Sequence, residues 1–388
     1  MSAAAAPAPP GGADPLVGQV VAGTYRITRP LDAGGMGVVY AAQHLRLPQQ
    51  VAVKVLRLTS GDDELARRFR REAESLTRVR HPNVVRVLDH GELPPHGLYL
   101  VMEFLDGPDL AARLRAGPLP VAEVFALARA LGGALSAVHA AGVVHRDIKP
   151  RNVVLCLERR VGGAVAVPGL VDFGICGHRG ATEVLERTGE GVLLGTPRYM
   201  APEQVQGRAQ DIGAATDQWA LAALLVECLQ GRPLFPGDDL SALFAAILTQ
   251  EPRWDAAGLP RASAAALRRA LSRDPAQRFP DIEALCAAFV PSGGMAEPVL
   301  APFPATAAPT PATLSLPAGE VPPPPRAPLA RPVSLALVAV VGAVLLGLAS
   351  RGRQPTLFAP RPVAGLPSLG RPSPVLPTPS APPVAPPP

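Results

Sequence analysis

Lysine is almost missing from this 388-residue chain. Of its 37 cationic residues only Lys54 and Lys149 are lysines, and asparagine is as scarce, at Asn83 and Asn152 alone. Where arginine carries nearly every positive charge, a surviving lysine marks a place that a flat guanidinium cannot serve. Cysteine is sparse as well. Cys156, Cys176, Cys228 and Cys286 are scattered, with no CxxC spacing and no histidine cluster beside them. This excludes a disulfide framework and a thiolate metal site, and it fits reduced thiols in a cytoplasmic setting. The N-terminus lacks the basic and apolar regions of a signal peptide, so residues 2–15 read as a disordered Ala/Pro leader. No repeat of fixed period is present. A basic patch is also lacking: residues 291–388 hold six Arg and two Glu, so +4 of the net +5 belongs to the tail and +1 to the rest. Nucleic acid is thereby excluded as a partner.

Proline divides the chain. Of 48 prolines, 26 fall in the last 98 residues. About 290 residues of ordinary composition remain, ample for a two-lobed core.

The most informative stretch is His145-Arg146-Asp147-Ile148-Lys149-Pro150-Arg151-Asn152. Val143-Val144 leads in, Pro150 blocks helix continuation, and Val153-Val154-Leu155 leaves as a strand, so the stretch is a loop. A carboxylate, an ammonium and a carboxamide at spacings of two and three suit phosphoryl transfer. Asp147 can accept a hydroxyl proton, Lys149 can neutralise a moving phosphate, and Asn152 can offer an oxygen to Mg²⁺.

Other segments supply complementary chemistry. Order is expected to begin near Tyr25, with a strand over Tyr25-Arg26-Ile27-Thr28. A glycine turn, Leu31-Asp32-Ala33-Gly34-Gly35-Met36-Gly37-Val38-Val39-Tyr40, then allows backbone N–H groups to approach phosphates. Val51-Ala52-Val53-Lys54-Val55-Leu56 reads as a buried strand whose ammonium needs an anion. The next helix offers one: Leu65, Phe69, Leu76 and Val79 share a face, and Glu72 lies in that stripe, so a Lys54–Glu72 pair is expected. Strands are expected over residues 84–88 and 98–102, a connector over 103–107, and a long helix over 121–141. Gly169-Leu170-Val171-Asp172-Phe173-Gly174 places an acid at the end of an apolar strand, where it can bind a second face of the metal site. Between Asn152 and Asp172, Arg159-Arg160 and Gly162-Gly163 suggest an extended hairpin turn with no evident function. Asp217 opens a strongly apolar helix running to Leu229, and there an acid can satisfy backbone donors of a neighbouring loop.

Taken together, these motifs resemble the eukaryotic-type (Hanks-type) serine/threonine protein kinases, particularly their bacterial membrane-anchored branch. The resemblance covers residues 25–290 and keeps the order of the motifs. Lys149, two residues after the catalytic acid, looks like the Ser/Thr class. The fold implied is α+β and bilobal, with a small β-rich N-lobe and a larger α-helical C-lobe. The resemblance further implies ATP and Mg²⁺ as cofactors and protein substrates with Ser/Thr acceptors. Asp147 would be the catalytic base with Lys149 beside it, and Asn152 and Asp172 would bind Mg²⁺. Leu31, Gly34, Gly35, Met36, Gly37 and Val39 would surround the nucleotide. Lys54 would hold the α- and β-phosphates and pair with Glu72, and backbone groups from Glu103 to Leu105 would take the adenine edge. Thr196 would help seat the substrate hydroxyl, Glu203 and Arg278 would form an ion pair fixing the substrate segment, and Asp217 would brace the catalytic loop. Arg146 suggests control by a phosphorylated activation segment, with Thr188 as first candidate, Thr182 as second, and Glu190 as a fixed substitute charge. One departure is Asp32, where the family's glycine loop begins with glycine.

Residues 291–332 form an extended Pro/Ala-rich linker. Residues 333–350 carry no charge over 18 positions, about 27 Å as helix against a hydrocarbon core of about 30 Å. Arg331 and Arg351 flank the stretch, so one transmembrane helix is expected, followed by a Pro-rich tail over 351–388. Because ATP is cytosolic, the kinase domain should face the cytoplasm from the cell membrane. Ala339, Ala343 and Gly347 at four-residue spacing would suit a close helix–helix contact, hence a homodimer. Two other readings compete. A catalytically impaired ATP-binding pseudokinase scaffold should lack one of Lys54, Asp147, Asn152 or Asp172. A small-molecule phosphotransferase should lack the segment from Thr196 to Glu203. All of these residues are present.

Overall fold

The computed structural model describes residues 14–34, 37–56, 63–160, 163–174, 197–237, 239–291 and 300–301. Gly35, Met36, Cys176, Thr182, Thr188, Glu190, Thr196 and the expected span 333–350 lie outside the described residues.

Alternation of apolar residues builds the first lobe. Six strands form one antiparallel sheet in the order β1-β2-β3-β4-β6-β5: β1 Val20–Val21, β2 Tyr25–Gly34, β3 Gly37–His44, β4 Gln50–Leu56, β5 Val87–Leu93 and β6 Gly97–Glu103. In β4 the period of two sorts the side chains. Val51, Val53 and Val55 join Tyr25, Ile27, Tyr40 and Val101 in a small core on one face of the sheet. Ala52 and Leu56 join the main core on the other face, where helix α1 (Asp63–Leu76) lays down Ala66, Phe69, Ala73 and Leu76. Lys54 has the parity of Ala52 and Leu56, so its stem shares the α1 side of the sheet.

The helical lobe follows the connector Phe104–Asp109. It comprises α2 (Leu110–Leu114), α3 (Val121–Ala140), α4 (Pro202–Val205), α5 (Ala214–Gln230), α6 (Leu240–Thr249), α7 (Arg261–Ala270) and α8 (Ile282–Phe289). Helices α3 and α5 are apolar almost all round because they fill the centre of the lobe, packed on each other and on α8. Among the described residues α3 is the one helix long and apolar enough to cross a membrane, and its burial among other helices accounts for that composition. Between the lobes β7 (Val153–Arg160) and β8 (Gly163–Leu170) form a two-stranded hairpin paired along its full length. Cys228 and Cys286 are packed thiols, which burial pushes up, Cys286 to about 12.

Three boundaries differ from expectation. The residues from Asp14 to Thr24, ahead of the expected start at Tyr25, already carry structure. Leu16 and Val21 are buried on the small core, β1 pairs with β2, and Asp14 accepts the Tyr40 hydroxyl at 3.0 Å. The two buried positions, Leu16 and Val21, lie five apart among Gly and Pro, a spacing that matches neither a strand nor a helix period, so the sequence pattern gives no sign of this strap. Helix α1 stops at Leu76, and Val79 reaches the core from the turn beyond it. Val84 makes only a single parallel bridge to Leu170, and the fifth strand begins at Val87.

Candidate active site

The loop 145–152 has no regular secondary structure to fix it apart from one 3-10 turn at Pro150–Asn152. Its shape comes from side chains. Asp217, fully buried in the first turn of α5, accepts the His145 N–H at 2.9 Å and the Arg146 N–H at 2.8 Å, and shares a 2.7 Å hydrogen bond with His139 Nε2. Arg146 adopts φ +65°, a left-handed conformation that costs an arginine about 1 kcal/mol or more. Asp217 on its N–H and Gln204 Nε2 on its carbonyl, at 2.9 Å, hold it there. His145 is buried. Its Nδ1 accepts the Asp147 N–H at 3.3 Å, so the proton sits on Nε2, which donates to the Val171 carbonyl at 3.2 Å. Burial keeps this imidazole below its ordinary pKa despite the carboxylates of Asp217, Asp147 and Asp172.

The consequence is a defined trio. Lys149 Nζ donates to Asp147 Oδ2 at 2.7 Å, and Asn152 Nδ2 donates to the same oxygen at 3.0 Å and to the Asp147 carbonyl at 2.7 Å. Among the described residues, Asp147 Oδ1 and Asn152 Oδ1 carry no hydrogen bond. One is a carboxylate oxygen for a hydroxyl proton, and the other an amide oxygen for a hard cation. Asp172 follows β8, and the Val171 N–H donates to the Asn152 carbonyl at 2.9 Å, so the two metal-ligand candidates are tied by backbone. Asp172 also has positive φ, +61°.

The two charged residues contributed by the first lobe do not pair with each other. Lys54 forms an ion pair with Asp172, while Glu72 bonds Arg146 at 3.2 Å, so the expected Lys54–Glu72 pair is corrected. The stripe on α1 places Glu72 toward the site, yet two cations lie there and the pattern does not choose between them. The arrangement is poorly satisfied: Glu72 Oε2 and Arg146 Nε are buried without hydrogen-bond partners among the described residues. Burial pushes Glu72 above the ordinary carboxylate pKa, with the guanidinium of Arg146 only partly opposing it. For Asp172 burial also acts upward, but the ammonium of Lys54 outweighs it and the carboxyl ends below its usual range.

The remaining positions fall as follows. Leu31 is exposed at the tip of β2 and Val39 is half-buried in β3. Gly37 approaches β4 so closely that a Cβ there would collide with the Val55 carbonyl. Asp32 is exposed and its carboxylate accepts the Ala33 N–H at 2.9 Å. Glu103 turns its side chain to the Arg86 N–H at 2.8 Å, and the Leu105 N–H has no hydrogen-bond partner among the described residues. Glu203 and Arg278 form a doubly hydrogen-bonded pair at 2.7 and 2.9 Å, fully buried, with Thr216 donating to Glu203 at 2.9 Å. Three positions escaped sequence reasoning. His139 on an apolar helix reads as core, Gln204 is hidden inside a segment read for its acid, and Asn83 donates to the Pro168 carbonyl at 2.7 Å. Asn83 left one trace, the scarcity of asparagine.

The donor set fits a nucleotide with a divalent cation. The glycine at position 37 lets β3 lie close on β4 at the turn, and the Leu105 N–H has no partner among the described residues. Among the described residues no cluster of three or more His, Cys, Asp or Glu is present. One amide and one carboxylate suit a hard cation that takes its other ligands from phosphates and water.

The family model for the protein kinase domain matches residues 25–290. Serine/threonine-protein kinase Pkn1 of Myxococcus xanthus is 39% identical over 275 residues, covering 70% of this chain and 38% of that protein. PknE of Mycobacterium tuberculosis is 38% identical over 261 residues, 66% of this chain and 44% of PknE. The chain thus spans less than half the length of these two relatives. The crystal structure of the M. tuberculosis PknI kinase domain is similar at 32% identity and TM-score 0.51, covering 70% of this chain and 96% of that one.

Acid titration reads the Lys54–Asp172 pair. Because Asp172 lies below its unfolded value, near 3.9, the pair's stabilisation is complete above that value and is lost as pH falls through the lower folded value. The Lys54→Met chain should lose this acid-side slope. Melting temperatures from about pH 6 to about pH 3 check it, and parallel curves for the two chains would contradict the pairing.

Proposed function

The chain belongs to the protein kinase family, and on that footing we propose that it is a serine/threonine protein kinase moving the γ-phosphoryl of Mg-ATP to Ser/Thr hydroxyls of proteins. The observation that carries this reading is the convergence of Lys149 and Asn152 on one oxygen of Asp147, which leaves Oδ1 for the substrate. ATP and a divalent metal are implied by the family, and Mg²⁺ is the metal proposed. The homologues named as serine/threonine kinases favour this reading over an inactive scaffold.

In this reading the adenine edge meets backbone groups from Glu103 to Leu105, between Leu31 and Val39. By the family resemblance, backbone N–H groups of the turn from Gly34 to Gly37 would approach the phosphates and Lys54 would neutralise them. Mg²⁺ held by Asn152 Oδ1 and Asp172 would supply charge neutralisation at the phosphates. Asp147 Oδ1 would take the proton of the substrate hydroxyl as the hydroxyl oxygen bonds to the γ-phosphorus and the bond to the ADP oxygen breaks. Lys149 balances charge on the moving group, and Thr196 orients the hydroxyl. Glu203 and Arg278 fix the segment that presents the peptide.

The crossed ion pairs support a resting arrangement. A phosphate on Thr188, or on Thr182, offers Arg146 more oxygens than Glu72 does. Glu72 would then pass to Lys54, and Asp172 would be released toward the metal. Incubation of the full chain with Mg-ATP and a generic basic protein should label that protein and Thr188. Asp147→Asn should lower both by about 10²–10⁴-fold. Equal labelling by the Asp147→Asn chain would defeat the assignment, and an active preparation with Thr188 and Thr182 both bare would remove the switch.

We further infer a single membrane span over 333–350, preceded by the linker 291–332 and followed by the tail 351–388. The domain over 25–290 would face the cytoplasm, and Ala339, Ala343 and Gly347 would bring two copies together. The uncharged 18-residue run supports this. Full-length protein should sediment with membranes in carbonate wash, whereas a chain ending at residue 332 should not. Release of both to the same extent would count against the anchor.

A further inference from the structure

The hairpin of β7 and β8 has eight paired positions on each strand, from Val153↔Leu170 to Arg160↔Gly163, and the proposed reaction uses nothing beyond its inner end. Its inner half is buried and its outer half exposed, with Leu157 49% exposed. A two-stranded hairpin has two edges, and each presents unpaired N–H and C=O groups that need partners. On the β7 side the connector serves: the Leu155 N–H donates to the Pro108 carbonyl at 2.8 Å.

The β8 edge is served by three separate devices. Leu170 exchanges hydrogen bonds with the segment after α1, donating to Asn83 at 2.8 Å and accepting from Val85 at 3.0 Å. Two residues back, Pro168 has no N–H to satisfy, and its carbonyl accepts from Asn83 Nδ2 at 2.7 Å. Two residues further, the Ala166 N–H donates to the Leu300 carbonyl at 3.1 Å, in an antiparallel bridge.

Leu300 lies ten positions beyond Val290, in the proline-rich stretch where sequence composition calls for an extended, solvated linker. Yet it is only 4% exposed and belongs to the main core cluster together with Leu155 and Ala166. Leu157, cross-strand from Ala166, lies on the same face of the hairpin. The same hairpin packs on the connector between the lobes. A Cβ at Gly169 would strike the Leu105 side chain, and one at Gly107 would strike the Leu155 carbonyl.

We propose that the outer edge of β8 is a docking site for the chain's own post-domain segment, anchored by Leu300, so that the linker departs from the element that packs against Leu105. This inference does not depend on phosphoryl transfer, and its test uses no activity.

Amide hydrogen exchange of the full chain, resolved at single residues, provides the test. Ala166 should be protected in the parent chain, and Leu300→Asp should speed its exchange by about tenfold or more while α5 amides stay protected. If Leu300→Asp loosens α5 as well, the Leu300→Ala chain is read in its place, with faster exchange again expected at Ala166. Equal Ala166 exchange in parent and variant overturns the proposal. Ala166 protection that rises with protein concentration also overturns it, by assigning the edge to a second copy rather than to the strap of the same chain.

Discussion

The buried carboxylate of Asp217 is the constraint on which the site depends. A loop without a ladder of its own must find partners for its backbone donors or lose its shape. Asp217 supplies two acceptors to adjacent N–H groups from a fixed position at the start of α5, a helix buried along most of its length. That bond pair makes the left-handed turn at Arg146 tolerable. The turn sets the direction of Asp147, and Asp147 in turn gathers Lys149 and Asn152. Helix α5 is anchored at the same end, where Thr216 bonds Glu203 and Arg278 bonds the Ala215 carbonyl. The 145–152 loop, the Glu203–Arg278 pair and the lobe centre are therefore braced through three consecutive residues of one helix.

The part of the site contributed by the first lobe is held less firmly. Asp172 has its cation and a depressed pKa, a well-compensated pair. Glu72 and Arg146 each bury an atom without a hydrogen-bond partner among the described residues, and burial raises the Glu72 pKa. Leaving such groups unsatisfied costs about 1–3 kcal/mol each, so the pair is the element most readily exchanged for better partners. The asymmetry between the two pairs, rather than either alone, is what makes a switch at Arg146 physically reasonable.

Much of this was legible in the residues. Long periodic elements such as α3, α5 and β4 are marked by their own patterns, and the scarcity of lysine and asparagine singled out Lys54, Lys149 and Asn152. Asp217 was readable because an acid opening an apolar helix has to meet donors from elsewhere. What escaped depends on long-range choice. The α1 stripe orients Glu72 inward without deciding between Lys54 and Arg146. The Asp14–Val21 strap and Leu300 are short apolar anchors in proline- and glycine-rich surroundings, where no period exists to read. Asn83 and Gln204 act by hydrogen-bonding backbone 85 and 58 positions away, and local pattern holds no record of such partners.

The central claim is that Asp217 acts by positioning the loop and not by touching substrate. The measurement that tests it most directly is steady-state phosphoryl transfer by Asp217→Asn, read alongside nucleotide affinity and loop amide exchange. The account predicts a kcat loss of about 10²-fold, a nucleotide Kd close to that of the parent, and faster exchange confined to His145 and Arg146. An unchanged kcat with those two amides already exposed would contradict it.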